Sequence, residues 1–458
     1  MESMRVVVIG AGYVGLTTGM ALAHVGHFVH FIDTDSSKIS LLREGRPPFH
    51  EPGLVEMLEM NVQRTSFHEK VGEFVGGADV IMVAVGTPPK ASGEADTSFV
   101  EEAATEVTKY LREGTNYTIV IKSTVPIGTN HKIAELIRRL LKKQKIETHV
   151  HVASNPEFLR EGRALRDALY PDRIVVGAFD PIAAGMLRKL YLPILNQDFQ
   201  APPSIPRPNN FPSPQLITTD PASSEMIKYA ANAFLATKIS YINEIAGLCE
   251  KVGADIIEVS RGVGLDPRIG PDFLNAGLGW GGSCFPKDTL AMLSMGSEFG
   301  YEMPIVEATR TVNYMQRANV IRKLQQELGP LRGKTVGILG LAFKPGTDDV
   351  RDAPALDVIR KLLELGAYVR VHDPVALGNA REVLGSDADL EYCNDAYDVA
   401  EEADALVLAT EWPEYKQLSL ERLIGAMRRK LIIDGRNFLP SGVVRELGCK
   451  YVGMGRRI

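Results

Sequence analysis

The chain has 458 residues, 45% of them hydrophobic and 24% charged, with a net charge of −6. This balance suits a soluble globular protein of two or three domains and gives no reason to expect nucleic acid or a membrane as a partner. No apolar run reaches the ~18 residues of a membrane span, and the four cysteines (Cys249, Cys284, Cys393, Cys449) show neither CxxC nor Cys/His ligand spacing, so neither a metal site nor a disulfide framework is expected.

In chain order, Arg5-Val6-Val7-Val8-Ile9 reads as a strand of β-branched residues. Its early position leaves no room for a signal peptide, so a reducing cytoplasm is the expected location. The strand runs into Gly10-Ala11-Gly12-Tyr13-Val14-Gly15 and then an apolar-periodic helix. This strand–GxGxxG–helix order is the dinucleotide fingerprint in its proper context. Gly10 permits the turn, Gly12 admits a pyrophosphate, and Gly15 lets helix and strand pack. A second strand ends at Asp33, 18 positions after Gly15, where an acid binds the ribose of NAD and repels the extra phosphate of NADP. Lys38, one helical turn on, could complicate that choice.

Further strands are expected at 79–85, 117–122 and 148–153, with helical patterns between most of them, as in a doubly wound parallel sheet. Polar turns follow them: Gly86-Thr87-Pro88-Pro89, Lys122-Ser123-Thr124-Val125-Pro126 and Ser154-Asn155-Pro156-Glu157. Ligands of open α/β sheets sit beyond the strands' carboxyl ends, so the three turns should line one cleft. Residues 200–221 hold seven prolines and read as an exposed loop or linker, or a lid, because they cannot form a helix or a central strand.

Asp220-Pro221 then caps a long helix running to about Val252, roughly 45 Å at ~1.5 Å per residue. It is apolar on most faces and should be buried in a domain or subunit interface. Lys228 and Asn232 share one of its faces. Next comes Gly279-Trp280-Gly281-Gly282-Ser283-Cys284-Phe285-Pro286-Lys287-Asp288. Glycines give a substrate room to reach the sulfur, and a nearby cation favours the nucleophilic thiolate. The competing reading is a buried structural cysteine. The last section repeats the first in kind: Lys334 to Gly340 is again strand into glycine turn, with further strands at 367–372, 404–409 and 430–434, and Phe343 standing where a third glycine would. The fold expected is therefore α/β: two Rossmann-like doubly wound parallel-sheet domains joined by a long central helix, with segments 1–215, 220–328 and 329–458, and two nucleotide ligands facing each other.

Together these features resemble the UDP-glucose/GDP-mannose dehydrogenase family over nearly the whole chain. The carrying motifs are GAGYVG at 10–15, STVPIGT at 123–129, NPEFLREG at 155–162, MIKYAANAF at 226–234, GGSCFPKD at 281–288 and FKPGTDDVRDAP at 343–354. The residues after Cys284 and after Asn155-Pro156 favour UDP-glucose over GDP-mannose or a UDP-N-acetylhexosamine. The resemblance implies two successive oxidations of a sugar C6 alcohol, with NAD as cofactor and Cys284 as covalent nucleophile. It implies oxyanion stabilisation by Lys228 with help from Asn232, water handling by Asp288 and Thr124, and Glu157 as base for thioester hydrolysis. Tyr13, Val14, Thr87, Glu161, Lys287 and Arg351 would meet the cofactor. Substrate contacts would come from Phe158, Leu159, Arg160 and Glu161, from the loop Phe273, Leu274, Asn275, Ala276 and Gly277, and from Gly281, Lys344 and Arg436. Arg268 would reach the site of a partner subunit in a homodimer or a multiple of dimers. Phe273 stands where some members have Tyr, and the proline-rich insert is longer than usual. Two rival readings are a β-hydroxyacid dehydrogenase, which needs neither Cys284 nor residues 334–458, and a silent NAD- and sugar-binding sensor, which would be expected to lack one of Cys284, Lys228 or Asp288.

Overall fold

The computed structural model describes residues 2–456, so the outermost expected boundaries, 1 and 458, lie outside the described residues. The chain divides into two compact units, one ending at Ala230 and the other starting at Ala231, within the helix Pro221–Val252.

The first unit carries β1 (Arg5–Ile9), β2 (Phe28–Ile32), β3 (Thr65–His68), β4 (Val80–Val83), β5 (Asn116–Ile121), β6 (His149–Ser154), β7 (Arg173–Ala178) and β8 (Gln215–Thr219). They form one sheet in the order β3-β2-β1-β4-β5-β6-β7-β8. The inner strands are apolar on both faces because both faces are covered: Val6 and Val8 pack into one core, Val7 and Ile9 into another. The order reverses between β1 and β4, which places the carboxyl ends of these strands at a switch point.

Within this Rossmann-like sheet one step is antiparallel: β7 runs antiparallel to β6, and β8 follows β7 in parallel. One expectation needs correction. The proline-rich segment is not merely an exposed linker. Its last residues form β8, an edge strand, where the preceding Pro214 removes no ladder bond. Upstream, Ile205 is buried, Tyr170 donates to its carbonyl at 3.1 Å, and Tyr170 also meets the rings of Phe199 and Phe211.

The second unit has a six-stranded, fully parallel sheet: β9 (Thr335–Leu339), β10 (Tyr368–His372), β11 (Leu390–Tyr392), β12 (Ala405–Leu408), β13 (Leu431–Asp434) and β14 (Lys450–Gly453), in the order β11-β10-β9-β12-β13-β14. This is the 3-2-1-4-5-6 order of a dinucleotide-type fold. The expected long helix and both Rossmann-like sheets are present. The long helix is not covered on all sides within the chain: Phe234, Tyr241 and Leu248, seven residues apart, are 65%, 54% and 58% exposed. Among the described residues no helix is long and apolar enough to cross a membrane.

Candidate active site

The first unit builds its nucleotide cradle from β1 and the helix Tyr13–His24. Gly10 adopts φ +98°, and a side chain there would strike the carbonyl of Ala84; one on Gly15 would strike the carbonyl of Gly10. A Cβ on Gly12, by contrast, would meet nothing within 4 Å, so the middle glycine borders open space at the helix N-terminus, where phosphates bind. Asp33, after β2, accepts from Ala11 N–H at 2.9 Å and Asp35 N–H at 3.0 Å, which leaves about two of its roughly four lone-pair sites for ribose hydroxyls. The cradle therefore fits NAD. Lys38 lies 3.9 Å from Asp33 and 3.6 Å from Asp35, in an ion pair rather than alone. Tyr13 donates to Glu51, and its hydroxyl accepts from Gly162 N–H at 2.5 Å, tying the fingerprint to the Phe158–Gly162 loop. Thr87 donates to the carbonyl of Thr124 at 2.8 Å, bringing together two of the three polar turns.

Glu157 and Lys228 form an ion pair at 2.8 Å with side chains 5% and 4% exposed. Burial pushes the Glu157 carboxyl up, but the Lys228 charge and hydrogen bond, the Leu159 N–H and the Lys122 charge together hold it below its ordinary range. Phe158 lies under both Lys228 and Arg173. Arg160 donates through its guanidinium to Asp167 at 2.9 and 2.6 Å. Lys122 and Asn155, which the sequence placed in the cleft-lining turns without giving them a role, and Tyr191, which it did not flag, form a buried polar group beside Glu157.

The second unit holds the cysteine. Cys284 is the N-cap residue of the helix Phe285–Glu298, whose positive end favours negative charge. It is half-buried, whereas Cys249, Cys393 and Cys449 are buried, and burial pushes the thiols of Cys393 and Cys449 up to about 11. A purely structural role fits those three and not Cys284. One turn along, buried Asp288 accepts from Asn232 at 2.6 Å and pairs with Lys287. Lys287, expected at the cofactor, is thus engaged with Asp288, and Arg351 with Asp349.

The loop before Cys284 is clamped by groups the sequence did not flag. Asn313 bonds both the N–H and the carbonyl of Trp280, and Arg317 bonds that same carbonyl and Asp352. Their spacing, four apart on the helix Pro304–Leu328, was the available signal. A side chain on Gly281 would lie 2.2 Å from the Asp352 carbonyl, and Gly282 has φ +88° with the Phe343 ring against it. The 343–354 motif therefore shapes the cysteine loop.

Arg436 is braced by the carbonyls of Ala409, Gly279 and Phe343, and Lys344 lies over the Phe343 ring. In the loop 273–277, Phe273 sits at φ +65°, a left-handed conformation costing on the order of 1–3 kcal/mol for a bulky residue. Leu274 and Ala276 are buried, Asn275 is exposed, and Gly277 N–H donates to Asn243 at 2.8 Å. Arg268 is 86% exposed and pairs with its neighbour Asp266.

The second fingerprint differs from the first in its acid. Asp373, after β10, receives five donors: Leu341, Ala342, Val375 and Ala376 N–H and the Trp412 indole. That saturates a carboxylate, so none is left for a ribose.

The family models for UDP-glucose/GDP-mannose dehydrogenases match in all three parts: the NAD binding domain over 4–195, the central domain over 222–315 and the UDP binding domain over 337–441. The chain belongs to the UDP-glucose/GDP-mannose dehydrogenase family. It is 43% identical to the UDP-glucose 6-dehydrogenase TuaD of Bacillus subtilis, covering 99% of this chain and 93% of that protein. It is also 43% identical to the UDP-glucose 6-dehydrogenase of Rhizobium meliloti, covering 99% and 100%. The solved UDP-glucose dehydrogenase of Pyrobaculum islandicum superposes with a TM-score of 0.87 at 40% identity, covering 99% and 98%. As a family member the chain is an NAD-dependent oxidoreductase with a UDP-binding C-terminal part. Both rival readings lose their ground: the match extends through the C-terminal domain, and Cys284, Lys228 and Asp288 are all present.

Proposed function

We propose that the protein oxidises UDP-glucose to UDP-glucuronate with two equivalents of NAD⁺, through a covalent intermediate on Cys284. The carrying observation is Cys284 itself: the cysteine that is not buried, at a helix N-terminus, one turn before a buried aspartate held by Asn232 and Lys287. NAD⁺ supplies the hydride acceptor for each oxidation. The Cys284 thiolate adds to the C6 aldehyde, keeping the reactive carbon tethered, and the second oxidation leaves it as a thioester. Lys228 donates to the oxygen as it gains charge, and Asn232 assists with its second amide hydrogen. Glu157 takes a proton from the water that cleaves the thioester, releasing the carboxylate and the Cys284 sulfur. Asp288 and Thr124 order that water. Functionally, residues 1–215 bind NAD, 220–328 carry the cysteine, and 329–458 bind the UDP-sugar. A reducing cytoplasm would keep Cys284 reduced.

A panel of nucleotide sugars with NAD⁺ tests this reading. Two NADH per UDP-glucose, with much slower turnover of GDP-mannose and UDP-N-acetylmannosamine, is expected; one NADH per sugar would overturn the four-electron assignment.

Asp33 sets cofactor choice. Asp33→Ala should lower kcat/KM for NAD⁺ roughly ten-fold or more, since hydrogen bonds to a charged group are worth ~1.5–3 kcal/mol, and should narrow the gap to NADP⁺. A wild-type preference for NADP⁺ would instead assign the choice to Lys38.

The exposed row Phe234, Tyr241 and Leu248 on the long helix supports a second copy of this chain as its cover, giving a dimer or a multiple of dimers. Arg268 would complete the partner's sugar-nucleotide site. Arg268→Ala should raise the KM for UDP-glucose far more than that for NAD⁺. Mixing Arg268→Ala and Cys284→Ala subunits under exchange, at UDP-glucose far below the raised KM where neither parent turns over, should restore activity, because one hybrid site keeps its own Cys284 and receives an intact Arg268. A fully active monomer in sedimentation, or no rescue despite proven exchange, would refute the shared site.

A further inference from the structure

Lys122 follows β5, is 6% exposed, and faces the floor of a cavity in the first unit that Glu157 also lines. A lysine so buried is costly unless its charge is used, and a methionine would fill the same space. Its ammonium donates to Asn155 Oδ1 at 3.0 Å and contacts the Tyr191 hydroxyl at 3.5 Å. Both partners are neutral. Asn155 is locked from the other side: its amide donates to the Val175 carbonyl at 2.7 Å, and its Oδ1 also accepts from Tyr191 at 2.6 Å. This shelf aims the ammonium, and Asn155 lies only two residues before Glu157.

We infer that Lys122 is a positioning residue of the reaction, a second cation that works with Lys228 to keep Glu157 ionised and available as a base. The inference rests on the reading of Glu157 as the base for thioester hydrolysis. The charged groups around Glu157 come from every element packed on it. They are Lys228 on the long helix, Lys122 after β5, Arg173 on β7 over the Phe158 ring, and the Arg160–Asp167 pair, with Asp172 in the adjoining turn and Tyr191 behind Lys122. Arg160 and Asp167 pair with each other; Lys228 does most to hold the Glu157 carboxylate charged, the Leu159 N–H adds to it, and the Lys122 charge acts in the same direction. Burial lowers the Lys122 ammonium to about 8, with Glu157 supporting its charge and Lys228 opposing it, so the ammonium is charged at neutral pH and the three groups are coupled.

The test is the pH dependence of kcat for UDP-glucose in wild type, Lys122→Met, Lys122→Gln and Glu157→Gln, each with NAD⁺ binding measured by fluorescence titration. Lys122→Met should shift the acid limb upward by up to about one pH unit, while the KM for each substrate changes little. Lys122→Gln keeps a polar side chain facing Asn155 without the charge, so it should shift the limb the same way; it decides the matter if Lys122→Met fails to bind NAD⁺. Glu157→Gln should be severely slowed and lack the limb. If Glu157→Gln behaves so but both Lys122 variants keep the wild-type limb, the role of Lys122 is overturned while that of Glu157 stands. If Glu157→Gln keeps wild-type rate and limb, both fall.

Discussion

Cys284→Ala is expected to abolish uronate formation, with kcat falling by at least ~10³-fold, because removing a covalent nucleophile closes the path itself and leaves only binding and polar stabilisation. NAD⁺ affinity should stay within a few-fold of wild type, since the glycine cradle and Asp33 lie in the first unit and the cysteine in the second. Cys284→Ser keeps a hydroxyl that can still attack. It should be severely slowed and should accumulate a covalent ester, because an oxygen ester hydrolyses more slowly than a thioester. Intact-protein mass spectrometry after incubation with UDP-glucose and NAD⁺ would show the adduct on the serine variant and not on the alanine variant. Two NADH per sugar at near wild-type rate from Cys284→Ala would refute covalent catalysis. The three buried cysteines should tolerate alanine without loss of chemistry, although each leaves a small cavity.

The second large effect is expected at Lys228. Lys228→Ala removes the partner of a carboxylate that is 5% exposed. Breaking one side of a buried pair costs ~3–5 kcal/mol, and losing an oxyanion donor costs ~10²–10³ in kcat. The pH dependence of stability should also change sign. In wild type the Glu157 carboxyl is held low, so its contribution is present above the unfolded value of ~4.3 and disappears as pH falls through the lower folded value. Without Lys228, burial raises the carboxyl instead. Its penalty then grows as pH rises above the unfolded value. The deficit of the variant in Tm should therefore be larger at pH 7.5 than at pH 5. An equal deficit at both pH values would show that Glu157 is not the group left uncompensated, and wild-type turnover would remove Lys228 from the chemistry.

Much of this protein is written locally. Strand, glycine turn and helix follow one another without interruption at 5–24, so the fingerprint and Asp33 could be read from residue types and spacing alone, whereas the strand order that reverses between β1 and β4 could not. The same holds for the N-cap of the long helix and for the glycines before Cys284, whose need is steric and immediate. The edge strands β3, β8 and β11 were not legible, because short strands exposed along one side carry polar residues and lack the apolar run that marks a central strand; β14 is buried but has only four residues, too few to show a period. For β7, Ile174-Val175-Val176 has that run, but strand direction depends on where the chain re-enters the sheet, and no local pattern encodes it.

What the tertiary structure alone decided is which polar groups are already engaged. Asp33 and Asp373 end equivalent strands, yet one keeps acceptor capacity and the other is filled by five donors, two of them from residues 31 and 32 positions away and one from 39. Lys122, Asn155 and Tyr191 lie 33 and 36 residues apart and become one buried cluster only when β5, β6 and the helix Pro181–Asn196 pack together. Local sequence sets backbone conformation, because sterics act between neighbours. Charge state and hydrogen-bond capacity are set by burial and by distant partners, and those exist only in the folded chain.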